Sequence, residues 1–233
     1  MRKLEEVSLI DPLKEKFKVL EKTELTIVLT IEIFAGIGAF SYALRSIAKT
    51  VLYCEINPTA QFVLLQVMVQ GYISTAPIYP DINTLVINQP FHLLTAGIPC
   101  VGFSYAGFRN GFQNVQSNLF FSLLNGIKTS KPPFLFLECT PGIMKEISII
   151  QTEICDKLGY TLVWTIVNPV KVVSGPIERK RWFALGVHNE TNLSLPYIEP
   201  DYYNFADVRL SLFVSLLTNK LNNLLNVQHQ NYR

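Results

Sequence analysis

The stretch TIVLTIEIFAGIGAF, residues 26–40, contains the pattern that decides the fold. Thr26–Phe34 is a continuous, largely β-branched apolar run, which is typical of a strand buried on both faces of a sheet. Gly36 and Gly38 follow it and precede a helical segment, Ala39–Ala48. Glycines between a strand and a helix let the backbone turn tightly and approach a ligand, as in nucleotide-binding proteins.

Apolar strands and helices continue to alternate outward from this stretch. The other predicted strands are Val51–Cys54, Phe91–Ala96, Phe134–Leu137, Tyr160–Val167 and Trp182–Val187. The other predicted helices are Pro58–Gln70, Leu119–Lys128 and Met144–Leu158. Strands that are apolar on both faces and separated by helices indicate a mostly parallel sheet. We therefore expect one doubly wound, Rossmann-like α/β domain over residues 25–188.

The two ends of the chain depart from this alternation. Residues 1–24 hold many charges, and Asp11 before Pro12 predicts the start of a helix in an N-terminal extension. Residues 189–233 predict a tail with one closing helix, because apolar positions recur at helical spacing within Asp207–Asn226.

Composition excludes several classes of protein. The chain has 233 residues, of which 49% are hydrophobic and 16% are charged, so it is neither disordered nor a coiled coil. No uncharged apolar stretch is long enough for a membrane span, so no membrane partner is expected. The four cysteines form no CxxC pair, which favours free thiols, no metal site and a reducing compartment, cytoplasm or nucleus.

The net charge of +2 does not indicate a polyanionic ligand, but the distribution of charge is more informative. Between Asp81 and Glu138 there is no acidic residue, whereas Arg109, Lys128 and Lys131 are basic. That stretch could therefore lie against phosphates without repelling them.

A cysteine lies in the loop AGIPCVGFS, residues 96–104, directly after a predicted strand. A lone cysteine is most often a small buried hydrophobic residue. In an open α/β sheet, however, ligands bind at the carboxyl ends of strands, and a thiol is intrinsically nucleophilic. Its position and its glycine-rich neighbours favour Cys100 as a nucleophile.

Charged side chains also lie at strand ends. Glu55 follows Val51–Cys54, where a carboxylate can accept hydrogen bonds from ribose hydroxyls, and Glu138 ends another apolar strand. Arg179 and Arg181 are two residues apart at the start of a strand, so both point to one face. Considered separately, Glu138 could be a solvent-facing carboxylate and the arginines a solvated basic edge.

Together and in this order, these segments resemble the motifs of the DNA (cytosine-5)-methyltransferase family over roughly Ile27–Gly186. The matching segments are IFAGIGAF (33–40), CEINP (54–58), Asp81-Ile82, GIPCVGFS (97–104), NVQSNLFF (114–121), ECT (138–140) and GPIERKRWFALG (175–186). The resemblance implies the AdoMet-dependent methyltransferase fold. Chance agreement of these ordered motifs is small.

The resemblance implies S-adenosyl-L-methionine (AdoMet) as the cofactor and S-adenosyl-L-homocysteine as a product. By this resemblance Glu55 would hold the ribose and Asp81 the adenine amino edge. The residues implied to line the cofactor site are Phe34, Gly36, Gly38, Glu55, Ile56, Asp81, Ile82, Pro99 and Leu119.

The resemblance also implies the catalytic residues. Cys100 would attack C6 of a cytosine flipped out of duplex DNA. Glu138 would hydrogen-bond the ring N3 and the exocyclic amine, while Arg181, supported by Arg179, would orient the base oxygen and phosphates. This chemistry requires burial to raise the pKa of Glu138 and positive surroundings to favour the Cys100 thiolate.

The sequence departs from the family's pattern at supporting positions and in length. Cys139 and Ile177 stand where the family has Asn and Gln, and Val101-Gly102 where Gln-Pro is usual. Short methyltransferases of large DNA viruses have a similar Pro-Cys-x-Gly-Phe-Ser loop. Most members insert a target-recognition domain after the eighth motif, and we expect no separate one in this tail.

Three functions therefore stay open. The first is a minimal DNA cytosine-5 methyltransferase. The second is an AdoMet-binding subunit, inactive until a second chain or a second copy supplies DNA recognition, which the apolar composition favours. The third is a cytosine-5 methyltransferase that acts on tRNA.

Overall fold

The structure, a computed structural model, describes residues 27–103, 110–168 and 179–191. The predicted N-terminal extension, residues 1–24, and the predicted helix Asp207–Asn226 lie outside the described residues.

A seven-stranded sheet forms the centre of the molecule, in the order β3-β2-β1-β4-β5-β7-β6. The strands are β1 (Val28–Ile33), β2 (Ala48–Cys54), β3 (Ile78–Tyr79), β4 (Leu93–Gly97), β5 (Phe134–Cys139), β6 (Tyr160–Val167) and β7 (Arg181–His188). Neighbouring strands from β3 to β5 pair in parallel, whereas β7 is antiparallel to both β5 and β6. The expected mostly parallel sheet is confirmed. The two-residue strand β3 was not predicted.

Both faces of the sheet are covered, as expected for a doubly wound domain. The helices are α1 (Ala39–Leu44), α2 (Pro58–Val69), α3 (Leu119–Ser130) and α4 (Ile147–Ile150). On one face, Leu94 of β4 and Leu135 of β5 share a core cluster with Leu123 of α3. On the opposite face, Leu93 shares a second cluster with Leu44 of α1. The alternating side chains of the central strands are therefore buried on both sides.

Two predicted helices differ from the observed ones. Helix α1 ends at Leu44 instead of Ala48, because the Ile47 N–H donates to the Leu44 carbonyl at 2.9 Å and Ala48 already pairs with Val28. The segment predicted as one helix, Met144–Leu158, changes its hydrogen bonding along its length.

That segment begins with a 3-10 turn, Pro141–Glu146, continues through α4 and ends as a π-helix, Gln151–Lys157. Its apolar face survives these changes, since Ile150 and Ile154 are fully buried. It ends before Gly159, whose φ of 73° lies in the left-handed region that glycine adopts most readily.

Within the described ranges, none of the helices combines the length and the apolar character needed to cross a lipid bilayer.

Candidate active site

The carboxyl ends of β1, β2, β4 and β5 meet at one edge of the sheet, because these strands are parallel neighbours. Two backbone hydrogen bonds connect the loops that leave this edge. The Ala35 N–H donates to the Cys54 carbonyl at 3.0 Å, and the Ile98 N–H donates to the Glu138 carbonyl at 2.8 Å. Ligands bind at such an edge in open α/β sheets, and most of the predicted site residues lie on these loops.

The turn after β1 is left-handed at three positions, with φ of 53° at Phe34, 55° at Gly36 and 83° at Gly38. A Cβ added at Gly36 would meet no atom within 4 Å, so the backbone there faces open space. A Cβ at Gly38 would lie 2.8 Å from Ile73 Cδ1, so this position faces packed side chains, and its φ of 83° favours glycine. Gly36 is thus the position where a ligand can approach the chain.

The Glu55 carboxylate lies directly against this turn. Its Oε2 accepts the Gly36 N–H at 2.7 Å, and its Oε1 accepts the Asn57 N–H at 2.8 Å. Asn57 also caps α2, because its side-chain oxygen accepts the Thr59 and Ala60 N–H groups. The helix start therefore fixes the carboxylate at the end of β2, whereas the neighbouring Ile56 is 65% exposed.

Asp81 and Ile82, which the sequence analysis predicted to line a cofactor site, follow β3. Asp81 Oδ1 accepts both the N–H and the side-chain amide of Asn83 at 2.9 Å. Both hydrogen bonds to this carboxylate from described residues go to Oδ1, which leaves Oδ2 for a ligand. Ile82 lines a cavity of about 190 Å³ between α3 and this segment, and no residue of the glycine turn lines it.

Glu32 is a supporting residue that the sequence analysis did not identify. It is 1% exposed in β1, and its carboxylate accepts the Phe40 N–H at 3.2 Å and the Ser41 N–H at 3.0 Å. The Ser41 hydroxyl donates to the same carboxylate. Gly38, at the N-cap of α1, has no side chain to do this, so Glu32 caps the helix from the strand. A single acidic residue inside an apolar strand was the available signal.

Burial raises the pKa of Glu32 to about 7, although the hydrogen bonds from Ser41 and Phe40 favour its charged form and oppose that rise. The carboxyl group can therefore change its charge near neutral pH while it holds the start of α1.

Cys100 is half-buried in the turn that leaves β4. The Phe103 N–H donates to the Cys100 carbonyl at 2.9 Å and closes the turn. A Cβ on Gly142, in the segment after β5, would lie 1.9 Å from the Phe103 carbonyl oxygen. The turn that carries the thiol is therefore packed backbone to backbone against the segment that follows Glu138.

Glu138 forms an ion pair with Arg181, with 2.7 Å between its Oε1 and the arginine Nε. Burial raises the pKa of Glu138, while Arg181 and then Arg179 oppose the rise. The predicted direction of this pKa shift and its cause are confirmed. Arg181 is the first residue of β7 and Arg179 is exposed just before it.

Gly97 lies between the Glu138 carboxyl group and the turn after β1. A Cβ on Gly97 would lie 3.6 Å from Glu138 Oε2 and 3.7 Å from the Phe34 carbonyl oxygen. The carboxyl group therefore lies over β4 and close to the end of β1.

Cys139 also contacts the loop that carries Cys100. Its Sγ lies 3.6 Å from the Ile98 carbonyl oxygen, and the residue is 1% exposed. Burial, followed by the neighbouring Cys100, raises the pKa of this thiol to about 12. It is therefore a neutral S–H donor.

Of the other residues singled out in the sequence, Pro99 and Leu119 lie within the described ranges, on the loop after β4 and at the start of α3. Pro99 precedes Cys100, and its carbonyl accepts a hydrogen bond from the Ser117 hydroxyl at 3.2 Å. Leu119 begins α3 and is half-buried. Arg109 and Ile177 lie outside the described residues. Ser117 was not among the predicted site residues.

Comparison with known proteins places these residues in a family context. The family described as C-5 cytosine-specific DNA methylase matches residues 28–233. The type II methyltransferase M.CviJI of Paramecium bursaria Chlorella virus IL3A is 30% identical over 165 residues, which are 69% of this chain and 43% of that protein. M.HpaII of Haemophilus parainfluenzae is 30% identical over 192 residues, 77% of this chain and 52% of that protein. The chain spans about half the length of the curated relatives it matches.

Solved structures share the fold. The S. pombe Dnmt2 methyltransferase matches with a TM-score of 0.58 and 22% identity, over 78% of this chain and 55% of that one. The Entamoeba histolytica methyltransferase EhMeth matches with a TM-score of 0.57 and 18% identity, over 73% of this chain and 56% of that one. The expected methyltransferase fold is confirmed.

Proposed function

Since the chain belongs to the C-5 cytosine-specific DNA methylase family, we propose that it transfers a methyl group from AdoMet to C5 of cytosine in DNA. Cys100 is the nucleophile, Glu138 the proton donor, and Arg181, supported by Arg179, orients the base. The proposed partner is duplex DNA with the target cytosine flipped out.

The residues at the strand ends fit AdoMet. Open space at Gly36, where a Cβ would meet no atom within 4 Å, gives room for the cofactor to approach the backbone. Glu55 lies against that turn with acceptor capacity beyond its two hydrogen bonds, which suits ribose hydroxyls. Asp81 Oδ2 can accept the adenine amino group. When bound, AdoMet supplies an electrophilic methyl group and becomes S-adenosyl-L-homocysteine.

In the proposed mechanism the Cys100 thiolate forms a bond to C6 of the flipped cytosine, and Glu138 donates a proton to N3. The electron pair displaced by the thiolate makes C5 nucleophilic, and C5 takes the methyl group. Loss of the C5 proton to solvent water leaves its electron pair to re-form the C5–C6 double bond, which breaks the C6–S bond and returns the thiolate. Glu138 recovers its proton from N3, so the enzyme ends as it began.

One observation carries this proposal: the Ile98–Glu138 backbone hydrogen bond of 2.8 Å ties the loop of the thiol to the strand end of the acid. Burial raises the pKa of Glu138, which is the direction that a proton donor to N3 requires.

The test is methylation of duplex DNA by the full chain with labelled AdoMet, together with covalent capture on DNA that contains 5-fluorocytosine. That base has no C5 proton to lose, so the C6–S bond persists. Cys100→Ser should abolish capture and methyl transfer while AdoMet still binds. Cys155→Ser is the matched control, since this half-buried cysteine lies in the helical segment after α4, and it should leave both reactions unchanged.

The other functions predict different results. A tRNA methyltransferase would label tRNA in preference to duplex DNA. An inactive subunit would bind AdoMet but form no adduct until a second chain was added. Near-normal turnover by Cys100→Ser would show that the nucleophile is assigned wrongly.

A further inference from the structure

A single buried hydroxyl holds the turn that carries Cys100 on both sides of the cysteine. The Gly102 N–H donates to Ser117 Oγ at 2.9 Å, and that hydroxyl donates to the Pro99 carbonyl at 3.2 Å. Ser117 is 0% exposed. Its hydroxyl thus satisfies one backbone group before Cys100 and one after it, which fixes the backbone on either side of the thiol.

Ser117 is itself fixed by the start of α3. The Asn114 side-chain oxygen accepts the Ser117 N–H at 3.3 Å, and the Phe120 N–H donates to the Ser117 carbonyl at 3.2 Å. Phe120 is fully buried in the core cluster that α3 shares with the sheet. The position of the hydroxyl is therefore fixed relative to β4 and β5, and its hydrogen bonds hold the turn in place.

Glycine at position 102 makes this arrangement possible. A Cβ there would lie 2.2 Å from the Gly111 carbonyl oxygen and 2.8 Å from Ser117 Oγ. The Gly111 N–H in turn donates to the Gly102 carbonyl at 3.0 Å. The backbone of the turn can approach the serine and the Gly111 backbone, at the start of a 3-10 turn, this closely only without a side chain.

We propose that Ser117 is a positioning residue for the nucleophile, one that aims Cys100 at the target base by holding Pro99 and Gly102. The inference rests on the proposed function, in which Cys100 attacks cytosine. Both hydrogen bonds of the hydroxyl go to the turn, so its loss loosens the turn and leaves the core contacts of α3 intact. A displacement of about 1 Å at a reacting atom can cost roughly a hundredfold in rate.

The test compares Ser117→Ala with Ser117→Thr, which keeps the hydroxyl, and with Ser130→Ala. Ser130 lies at the other end of α3, where its hydroxyl donates to the Gly126 carbonyl at 2.7 Å, so it is a matched loss of one hydroxyl. We expect Ser117→Ala to lower kcat and the rate of 5-fluorocytosine capture by about tenfold to a hundredfold. The Kd for AdoMet and the KM for DNA should stay within about twofold.

Alkylation of Cys100 by iodoacetamide, followed on its own peptide by mass spectrometry, separates positioning from loss of reactivity. Iodoacetamide is small and reacts with a thiol in many orientations. The rate and pH profile of Cys100 alkylation in Ser117→Ala should therefore change far less than kcat does. Ser117→Thr should recover activity if it melts as the wild type does, and Ser130→Ala should keep it. If Ser117→Thr is destabilised, Ser117→Ala alone tests the proposal. Slower 5-fluorocytosine capture with a nearly unchanged alkylation rate supports a positioning role, and an equal loss of both rates contradicts it.

The outcomes are distinguishable. A wild-type chain that forms no adduct with either DNA or tRNA would overturn the proposed function, and this inference with it. An active wild type with an equally active Ser117→Ala would overturn this inference alone. So would a parallel loss of activity and AdoMet affinity, because that pattern indicates general damage to the fold.

Discussion

At the scale of single residues, we expect the space above Gly97 to matter for the proposed contact between Glu138 and the target base. An added Cβ would make ordinary contacts, 3.6 Å from Glu138 Oε2 and 3.7 Å from the Phe34 carbonyl oxygen. Gly97→Ala should therefore keep the free energy of unfolding within about 1 kcal/mol of the wild type. Its methyl group would nevertheless fill the gap between the acid and the cofactor turn, so kcat/KM should fall by about tenfold or more.

Gly126→Ala is the matched control for that prediction. Gly126 lies inside α3, and a Cβ there would meet no atom within 4 Å. The change should stabilise the helix by about 0.5–1 kcal/mol and leave activity unaltered. Thermal unfolding and steady-state kinetics measure both quantities, and full activity of Gly97→Ala would contradict the importance of this gap.

At the scale of secondary structure elements, α1 depends on a carboxyl group from β1. The pKa of Glu32 is about 7 in the folded chain, above its ordinary value of 4.5. As pH rises from 4.5 to 7, the unfolded chain loses this proton while the folded chain keeps it. The contribution of Glu32 to stability is thus complete below pH 4.5 and is lost as pH approaches 7, at about 1.4 kcal/mol per pH unit as an upper limit.

Glu32→Gln cannot ionise, so we expect its free energy of unfolding to lack this decline. Denaturant titrations at several pH values from 5 to 8 give the difference between the two proteins, in which the titration of Glu138 cancels. The free energy of unfolding of the wild type should fall relative to that of Glu32→Gln as pH rises from 5 to 7. If the free energies of unfolding of the two proteins differed by the same amount at every pH, the raised pKa of Glu32 would be refuted. A constant difference would reflect only the changed hydrogen bonds.

The sequence predicts elements well where one local pattern defines them. The apolar runs that became β1 and β5 and the proline-started helix α2 were all located within a few residues. Strand β3, only Ile78–Tyr79, is too short to show any periodicity. The shortened α1 could not be foreseen, because pairing of Ala48 with Val28 ends it and that contact is not local.

At the scale of the whole molecule, ordered motifs predicted which residues gather at one edge of the sheet, since parallel strands bring their carboxyl ends together. The supporting residues were harder to predict. Glu32 and Ser117 act through partners that the fold supplies: a helix start in one case and a turn around Cys100 in the other. An acidic residue inside an apolar strand was a signal for Glu32, whereas the residue type of Ser117 carries no signal of its role.

The residues proposed to bind AdoMet lie on one sheet edge of this chain, so we expect AdoMet to bind the full chain without DNA. Ligand at about 100 times its Kd stabilises a protein by about 2.7 kcal/mol, which corresponds to a rise in Tm of about 5–11 °C at this size. Glu55→Ala should lose most of the rise, because it removes the carboxylate that lies 2.7 Å from the Gly36 amide. Cys100→Ser should keep it. If saturating AdoMet did not change the Tm of the wild-type chain, the proposed AdoMet site would be wrong, whatever the activity of the chain on DNA.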